Sequence, residues 1–348
     1  MSIQTFAGAD RGNRVSSLAT IAPLTALANR PSGLINQWLD HWTSLSPLGV
    51  GHRENVMEAA DRKLRIRLLT IAVEEDLFKV VRRGAADAAN ALGVEAELDG
   101  TPDVSAQAVI ALARKALDEG VDGLALNISE SRVFAPVIAE AKARGVPCVA
   151  FNIDADKGAS GNLSRIVQDF AQAGRVLGDR VVSRIPRGAK VLVTVHDDGV
   201  SALEERFAAV CEPLKAHGAD IARLRVGLNP DRGASVILEA LAARPASAIV
   251  GTGQADTEAA GIAARTLAPK APYVAGFDLS PGITTLIADG HIDATIDQQP
   301  YLQGFYPVVQ LTLFLRFGLA PSSIDAGAAL IDRANLESIQ QLSRQHIR

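Results

Sequence analysis

Residues Tyr273 to Gln310 read YVAGFDLSPGITTLIADGHIDATIDQQPYLQGFYPVVQ, and the fold turns on them. Two short apolar runs, YVAGF and IDATI, are each followed closely by polar residues. Between them, SPGITTLIADG carries a helix start and stop: Ser280 can cap, Pro281 suits a first turn, and Gly290 closes. The order is therefore strand, helix, strand, helix, with Asp278 and Gln298 just beyond the strand ends. Open parallel sheets bind ligands outside the carboxyl ends of their strands. One carboxylate and one amide thus share a rim, and the rest of the chain is read around that rim.

The same alternation fills the chain from Leu64 onward. LRIRLLTIAV, VEAEL, DGLALN and VPCVAFN read as strands, separated by helices such as DLFKVVRRGAADAANALG. After the loop DADKGASGNLSRI the pattern restarts with AKVLVTV, DIARLRV and ASAIVGT as strands. Strands alternating with helices of this length imply βαβ units, and two such blocks imply an α/β fold of two doubly wound parallel-sheet lobes. The 348 residues suffice for two domains, and 48% hydrophobic with 21% charged residues is ordinary globular composition. A net charge of −4 argues against a nucleic-acid surface. No apolar run is long enough for direct membrane insertion. Two cysteines make no disulfide framework, and Cys148 in VPCVAF reads as a buried, inert thiol.

Enzyme signatures are missing. The six histidines show no metal-ligand spacing. His196, in VTVHDDG, has Asp197 and Asp198 beside it, but the nearest nucleophile, Ser201, lies outside any GxSxG motif. GTGQADTE lacks both the third glycine of a dinucleotide loop and the Walker lysine, so no cofactor is expected.

GFDLSP followed by ADGHIDATIDQQPYLQG resembles the closing segment of sugar-type periplasmic binding proteins, the type I solute receptors of ABC importers. The resemblance runs from about Leu64 to about Leu336. It implies two lobes joined by a hinge, with the chain crossing between them near 165, 298 and 325. Lobe 1 would then be 64–165 plus 299–324, lobe 2 would be 166–298 plus 325–348, and 1–63 would be an N-terminal extension. It further implies a clamp for a sugar or polyol-like small molecule, ABC transporter permease subunits as partners, and a periplasmic location.

A site for vicinal hydroxyls and an apolar ring face needs Asp, Asn, Arg and Gln groups with an aromatic or two. The resemblance implies ligand contacts at Asp278 and Gln298. The plainer readings are a helix cap and a hinge residue, with Gln299 as a fallback. Asn152 stands where the family has Asp, and Asp154 is a candidate for the missing carboxylate. Arg206 matches a ligand-binding Arg, or is a surface residue paired with Glu204 or Glu205. Phe78 matches one of two ring-stacking aromatics, Leu77 replacing the other, or is core. Glu75 is a weaker polar candidate in the same loop. Asp169 matches a family Asp or caps a helix, with Phe170 beside it as a possible ring face. Asn127 ends a strand on the same rim. Gln254 and Asp256 compete for the position after ASAIVGT.

The N-terminus gives Arg11 and Arg14 before a mildly apolar patch from Leu18 to Ala28, interrupted by Thr20, Pro23 and Thr25. A secretory leader wants a longer apolar core. SGLINQWLDHWTSL then places Trp38 and Trp42 on an amphipathic helix near 33–44, suited to docking or to a partner. The alternative to an exported receptor is a cytoplasmic ligand sensor of the same fold that signals through this extension.

Overall fold

The computed structural model describes residues 63–348. The expected N-terminal extension and its helix near 33–44 lie outside the described residues, Lys63 excepted. The remainder contains two six-stranded sheets. The first has the order β11-β5-β4-β3-β1-β2, built from β1 (Arg65–Thr70), β2 (Glu95–Gly100), β3 (Gly123–Ile128), β4 (Cys148–Asp154), β5 (Arg165–Val167) and β11 (Ile324–Asp325). All its pairings are parallel. The second has the order β12-β10-β9-β8-β6-β7. Its strands are β6 (Lys190–Val195), β7 (Asp220–Arg225), β8 (Ala248–Gly251), β9 (Tyr273–Phe277), β10 (Ala294–Asp297) and β12 (Ala329–Ile331), the last antiparallel to β10.

Helices flank both faces. They are α1 (Asp76–Leu92), α2 (Ala106–Asp118), α3 (Ser131–Ala143), α4 (Phe170–Val182), α5 (Ser201–Ala216), α6 (Pro230–Ala243), α7 (Gln254–Leu267), α8 (Pro281–Ala288), α9 (Pro300–Phe317) and α10 (Leu336–Ser343). Strands covered on both faces must be apolar throughout, and β3 and β4 are buried at every position. Successive residues feed opposite cores. Leu124, Leu126 and Ile128 pack with α2 and α3, whereas Ala125 packs with Phe78, Val308 and Leu311 of α1 and α9. The second sheet divides likewise, with Ile249 and Val274 on one side and Val250 and Phe277 on the other.

Three segments link the sheets, after β5, β10 and β11. Two boundaries expected from the sequence move. β5 pairs with β4 and carries the first sheet to Val167, past 165, and Asp325 ends β11 in the first sheet instead of opening the second-lobe tail. Both are edge pairings of two or three residues, too short to leave a periodic signal.

Helix ends follow local chemistry. Ser280 Oγ accepts the Ile283 amide at 3.0 Å to start α8, and Gly290 closes it at φ 79°. The α1–α9 contact depends on two glycines. A Cβ at Gly84 would meet the Tyr301 carbonyl, and one at Gly304 would meet the Val81 carbonyl. Gly304→Ala should therefore destabilise the protein by about 1–3 kcal/mol through overpacking, read as a lowered urea midpoint. An unchanged midpoint would mean that the helices do not cross that closely.

Candidate functional site

In each sheet the strand order reverses between two neighbours, β1 and β3 in the first and β6 and β8 in the second. Helices leave to opposite faces at such a point and open a crevice at the carboxyl ends. The two crevices share one cavity of about 60 Å³. Its wall includes Asn127 and Asn152 from the first sheet, Arg206 and Asp278 from the second-sheet side, and Gln298 from a linking segment.

Backbone strain is concentrated at this rim. Among the described residues, five that are not glycine have positive φ, and four of them are Ala72 (47°), Asn152 (61°), Asp278 (71°) and Gln299 (52°). The first three line the cavity, and Gln299 follows Gln298. Left-handed backbone outside glycine costs up to about 1–3 kcal/mol and collects at functional sites. At Asn152 the strain accompanies a register shift of β4 against β3, a bulge that re-aims the side chain.

The polar side chains form one hydrogen-bonded chain across the lobes. Asn127 Nδ2 donates to Thr70 Oγ1 at 3.1 Å and to Asn152 Oδ1 at 2.9 Å. Asn152 Nδ2 donates to Gln298 Oε1 at 3.3 Å and to Gln303 Oε1 at 3.0 Å. Gln298 Nε2 donates to Asp278 Oδ1 at 2.5 Å. Arg206 Nη1 approaches Asp278 Oδ2 at 3.4 Å and donates to the Thr252 carbonyl at 3.0 Å, and its Nη2 donates to Gln168 Oε1 at 2.8 Å. The guanidinium lies 4.3 Å from the Phe277 ring centre and 5.1 Å from that of Phe170. Two buried atoms of this set have no hydrogen-bond partner among the described residues, the Asn127 Oδ1 acceptor and the Arg206 Nε donor.

Of the nine residues expected from the sequence, Phe78, Asn127, Asn152, Arg206, Asp278 and Gln298 line the cavity. Two plain alternatives differ from what the structure has: Ser280, not Asp278, caps α8, and Arg206 is buried and not at the surface, while Glu204 pairs with Arg223. The other three expected residues lie off the cavity wall. Asp169 caps α4, accepting the Gln172 amide at 2.9 Å, and lines a separate surface pocket with Asp154. Gln254 Oε1 accepts the Leu77 amide at 3.3 Å, a bond between lobes. Asp256 lies behind the wall. It takes the Thr252 and Gly253 amides at 2.6 and 3.0 Å, the Thr194 hydroxyl at 3.1 Å and His196 Nδ1 at 3.0 Å. Gly253 fills the contested wall position. Asp154 and Gln299 are also absent from the wall. Gln299 Nε2 donates to the Ala326 carbonyl at 2.6 Å.

His196, Glu75 and Phe170 line the cavity as well. Burial raises the Glu75 carboxyl above its ordinary range, partly offset by the charge of His196. Burial alone would lower the His196 imidazole, but the hydrogen bond and charge of Asp256, with the charges of Glu75 and Asp278, outweigh it and raise the group. Burial also pushes the Cys148 thiol up to about 12, as expected of an inert cysteine.

The carboxylate of Asp256 holds two buried backbone amides together. Asp256→Ala orphans both, and should cost about 2–4 kcal/mol of stability by urea denaturation. A wild-type midpoint in this variant would instead free Asp256 for a role at the cavity.

A family model described as periplasmic binding protein domain matches residues 68–318. The xylose/arabinose-binding protein XylF of Sulfolobus acidocaldarius is 26% identical over 248 residues, which are 66% of this chain and 61% of that protein. The chain thus spans less than two thirds of this curated relative's length. Among solved structures, a carbohydrate transporter from Acidothermus cellulolyticus in complex with myo-inositol matches with a TM-score of 0.74 and 25% identity, over 82% of this chain and 100% of that one. A solute binding protein from Burkholderia graminis in complex with D-arabinose matches with a TM-score of 0.75 and 22% identity, over 80% and 98%.

Proposed function

The chain belongs to the periplasmic binding protein domain family, and from that premise we propose that it clamps a monosaccharide or cyclic polyol between its lobes for delivery to an ABC importer. The observation that carries this reading is the relay Asn127–Asn152–Gln298–Asp278–Arg206. It supplies planar amide, carboxylate and guanidinium groups, which suit vicinal hydroxyls. The unpartnered Asn127 Oδ1 and Arg206 Nε add one acceptor and one donor, and Phe78 and Phe170 offer ring faces. A volume of about 60 Å³ leaves room for about four to six water-sized groups at roughly 10–15 Å³ each, which suits a small ligand better than an oligosaccharide.

The names of the relatives agree in class. XylF is a xylose/arabinose-binding protein, and the two structures hold myo-inositol and D-arabinose. By the same reading the chain works in the periplasm and meets permease subunits there. No observation favours the cytoplasmic sensor.

The test is a thermal-shift screen with D-ribose, D-arabinose, D-xylose, D-galactose and myo-inositol. A ligand at a thousand times its Kd adds about 4 kcal/mol to the native state, a rise of several degrees in a chain of this size. At least one of the five should produce it. Asp278→Asn keeps the side chain's shape and removes its charge, so it should weaken the best binder roughly 10- to 100-fold, the equivalent of one charge-assisted hydrogen bond. No shift with any of the five would end the sugar reading. Wild-type affinity in Asp278→Asn would remove that carboxylate from the site.

A further inference from the structure

The start of α1 supplies three residues of the cavity wall, Glu75, Leu77 and Phe78. The first amides of a helix have no acceptor within it and need one from outside. Glu75 stands at the N-cap position, where Ser, Thr, Asn or Asp is preferred, and its side chain makes no capping bond. The Phe78 amide returns to the Glu75 carbonyl at 2.9 Å. The Leu77 amide instead donates to Gln254 Oε1 at 3.3 Å, in a buried bond that spans 177 positions of the chain.

Gln254 belongs to the other lobe. Leu77, Phe78 and Val81 of α1 pack in a core of the first sheet, whereas Ala259, Ala260 and Ala263 of α7 pack in a core of the second. Gln254 is the first residue of α7 and follows Gly253, which lines the cavity. Its own side chain is buried but lies off the cavity wall. The backbone before it is held firmly, because Asp256 takes the Thr252 and Gly253 amides at 2.6 and 3.0 Å. The amide oxygen of Gln254 thus caps, from a fixed mount, a helix of the opposite lobe.

We propose that Gln254 is a positioning residue for ligand capture, completing the start of α1 from across the cleft so that closure sets the wall residues Leu77 and Phe78. The inference rests on the reading of the cleft as a sugar clamp. A bond from one lobe to the other exists only while the lobes are together, and water takes the Leu77 amide when they part. The bond therefore favours the closed form over the open one. Because Gln254 lies off the wall, its effect reaches the ligand through α1 and not by contact. A weakened closed form opens sooner, so loss of the bond falls on the release rate. Association begins from the open form and is unchanged.

Gln254→Met tests this in the full chain, since it keeps the length of the side chain and removes the acceptor. The ligand is whichever of D-ribose, D-arabinose, D-xylose, D-galactose or myo-inositol binds wild type best. Isothermal titration calorimetry gives Kd, and a chase of bound radiolabelled ligand gives koff. Both should rise about three- to tenfold, the worth of one neutral hydrogen bond. The derived kon and the urea midpoint of the unliganded protein should match wild type. Gln254→Glu keeps an acceptor oxygen for a helix amide, and its koff should stay near the wild-type value. Wild-type Kd and koff in Gln254→Met would overturn the inference while leaving the sugar reading intact. So would a rise in Kd carried by slower association, or a lowered midpoint of the unliganded protein, since either places the role of Gln254 in the open form. Release from Gln254→Glu as fast as from Gln254→Met would overturn the acceptor role. Wild type that binds none of the five probes would overturn the sugar reading, and this inference with it.

Discussion

The buried pairing of Arg206 with Asp278 is the constraint around which the site is built. Both side chains are almost wholly removed from water. Desolvating two charges costs several kcal/mol, and mutual attraction recovers it only when the remaining donors and acceptors are also satisfied. The protein meets most of that demand. Asp278 takes Gln298 on its other oxygen, and Arg206 gives to Thr252 and Gln168 and lies between two phenyl rings. An apolar replacement of similar volume would hold the lobe together about as well. Such a pair is therefore poor evidence for stability and better evidence for recognition.

The backbone is shaped to present this pair and its amide partners. Three cavity-lining residues and the neighbour of a fourth hold left-handed conformations that most side chains avoid. Parallel strands covered on both faces supply the rigid frame against which that strain is held. The linking segments sit close to the polar relay. Gln168 accepts from the Arg206 guanidinium and donates to the carbonyl of Gly327, so one crossing touches that group and is tied to a second. Gln298, on the third, bridges Asn152 and Asp278. A relative movement of the lobes must rearrange the same bonds that a ligand would use, which couples occupancy to lobe geometry.

The framework was readable because strand-to-helix alternation is strongly periodic and a strand end fixes a rim. GFD and DQQP placed Asp278 and Gln298 on that rim, and the cavity wall contains both. The expected residues that lie off the cavity wall are held there by identifiable contacts. Asp169 and Asp256 are short acidic residues in the first turn of a helix, where a carboxylate serves its own backbone as readily as a ligand. Sequence spacing cannot separate the two uses. Gln254 bonds the main chain of the other lobe, a contact set by how the lobes meet and by nothing local. His196 was visible beside two aspartates, but its partner is Asp256, sixty positions away. Gln303 completes the amide relay from inside α9, five residues after Gln298, with no motif to mark it.

Paired spin labels across the mouth of the cleft probe the clamp itself. Pro102 and Asp198 are exposed, each two residues from a cavity-lining valine, Val104 and Val200, on opposite lobes. Both native cysteines are buried, so Pro102→Cys with Asp198→Cys should label selectively. Pulsed dipolar spectroscopy should show a broad or longer distance distribution that narrows and shortens when the best-binding sugar is added. Distributions that overlay with and without a sugar that demonstrably binds would contradict a ligand-driven closure of two lobes.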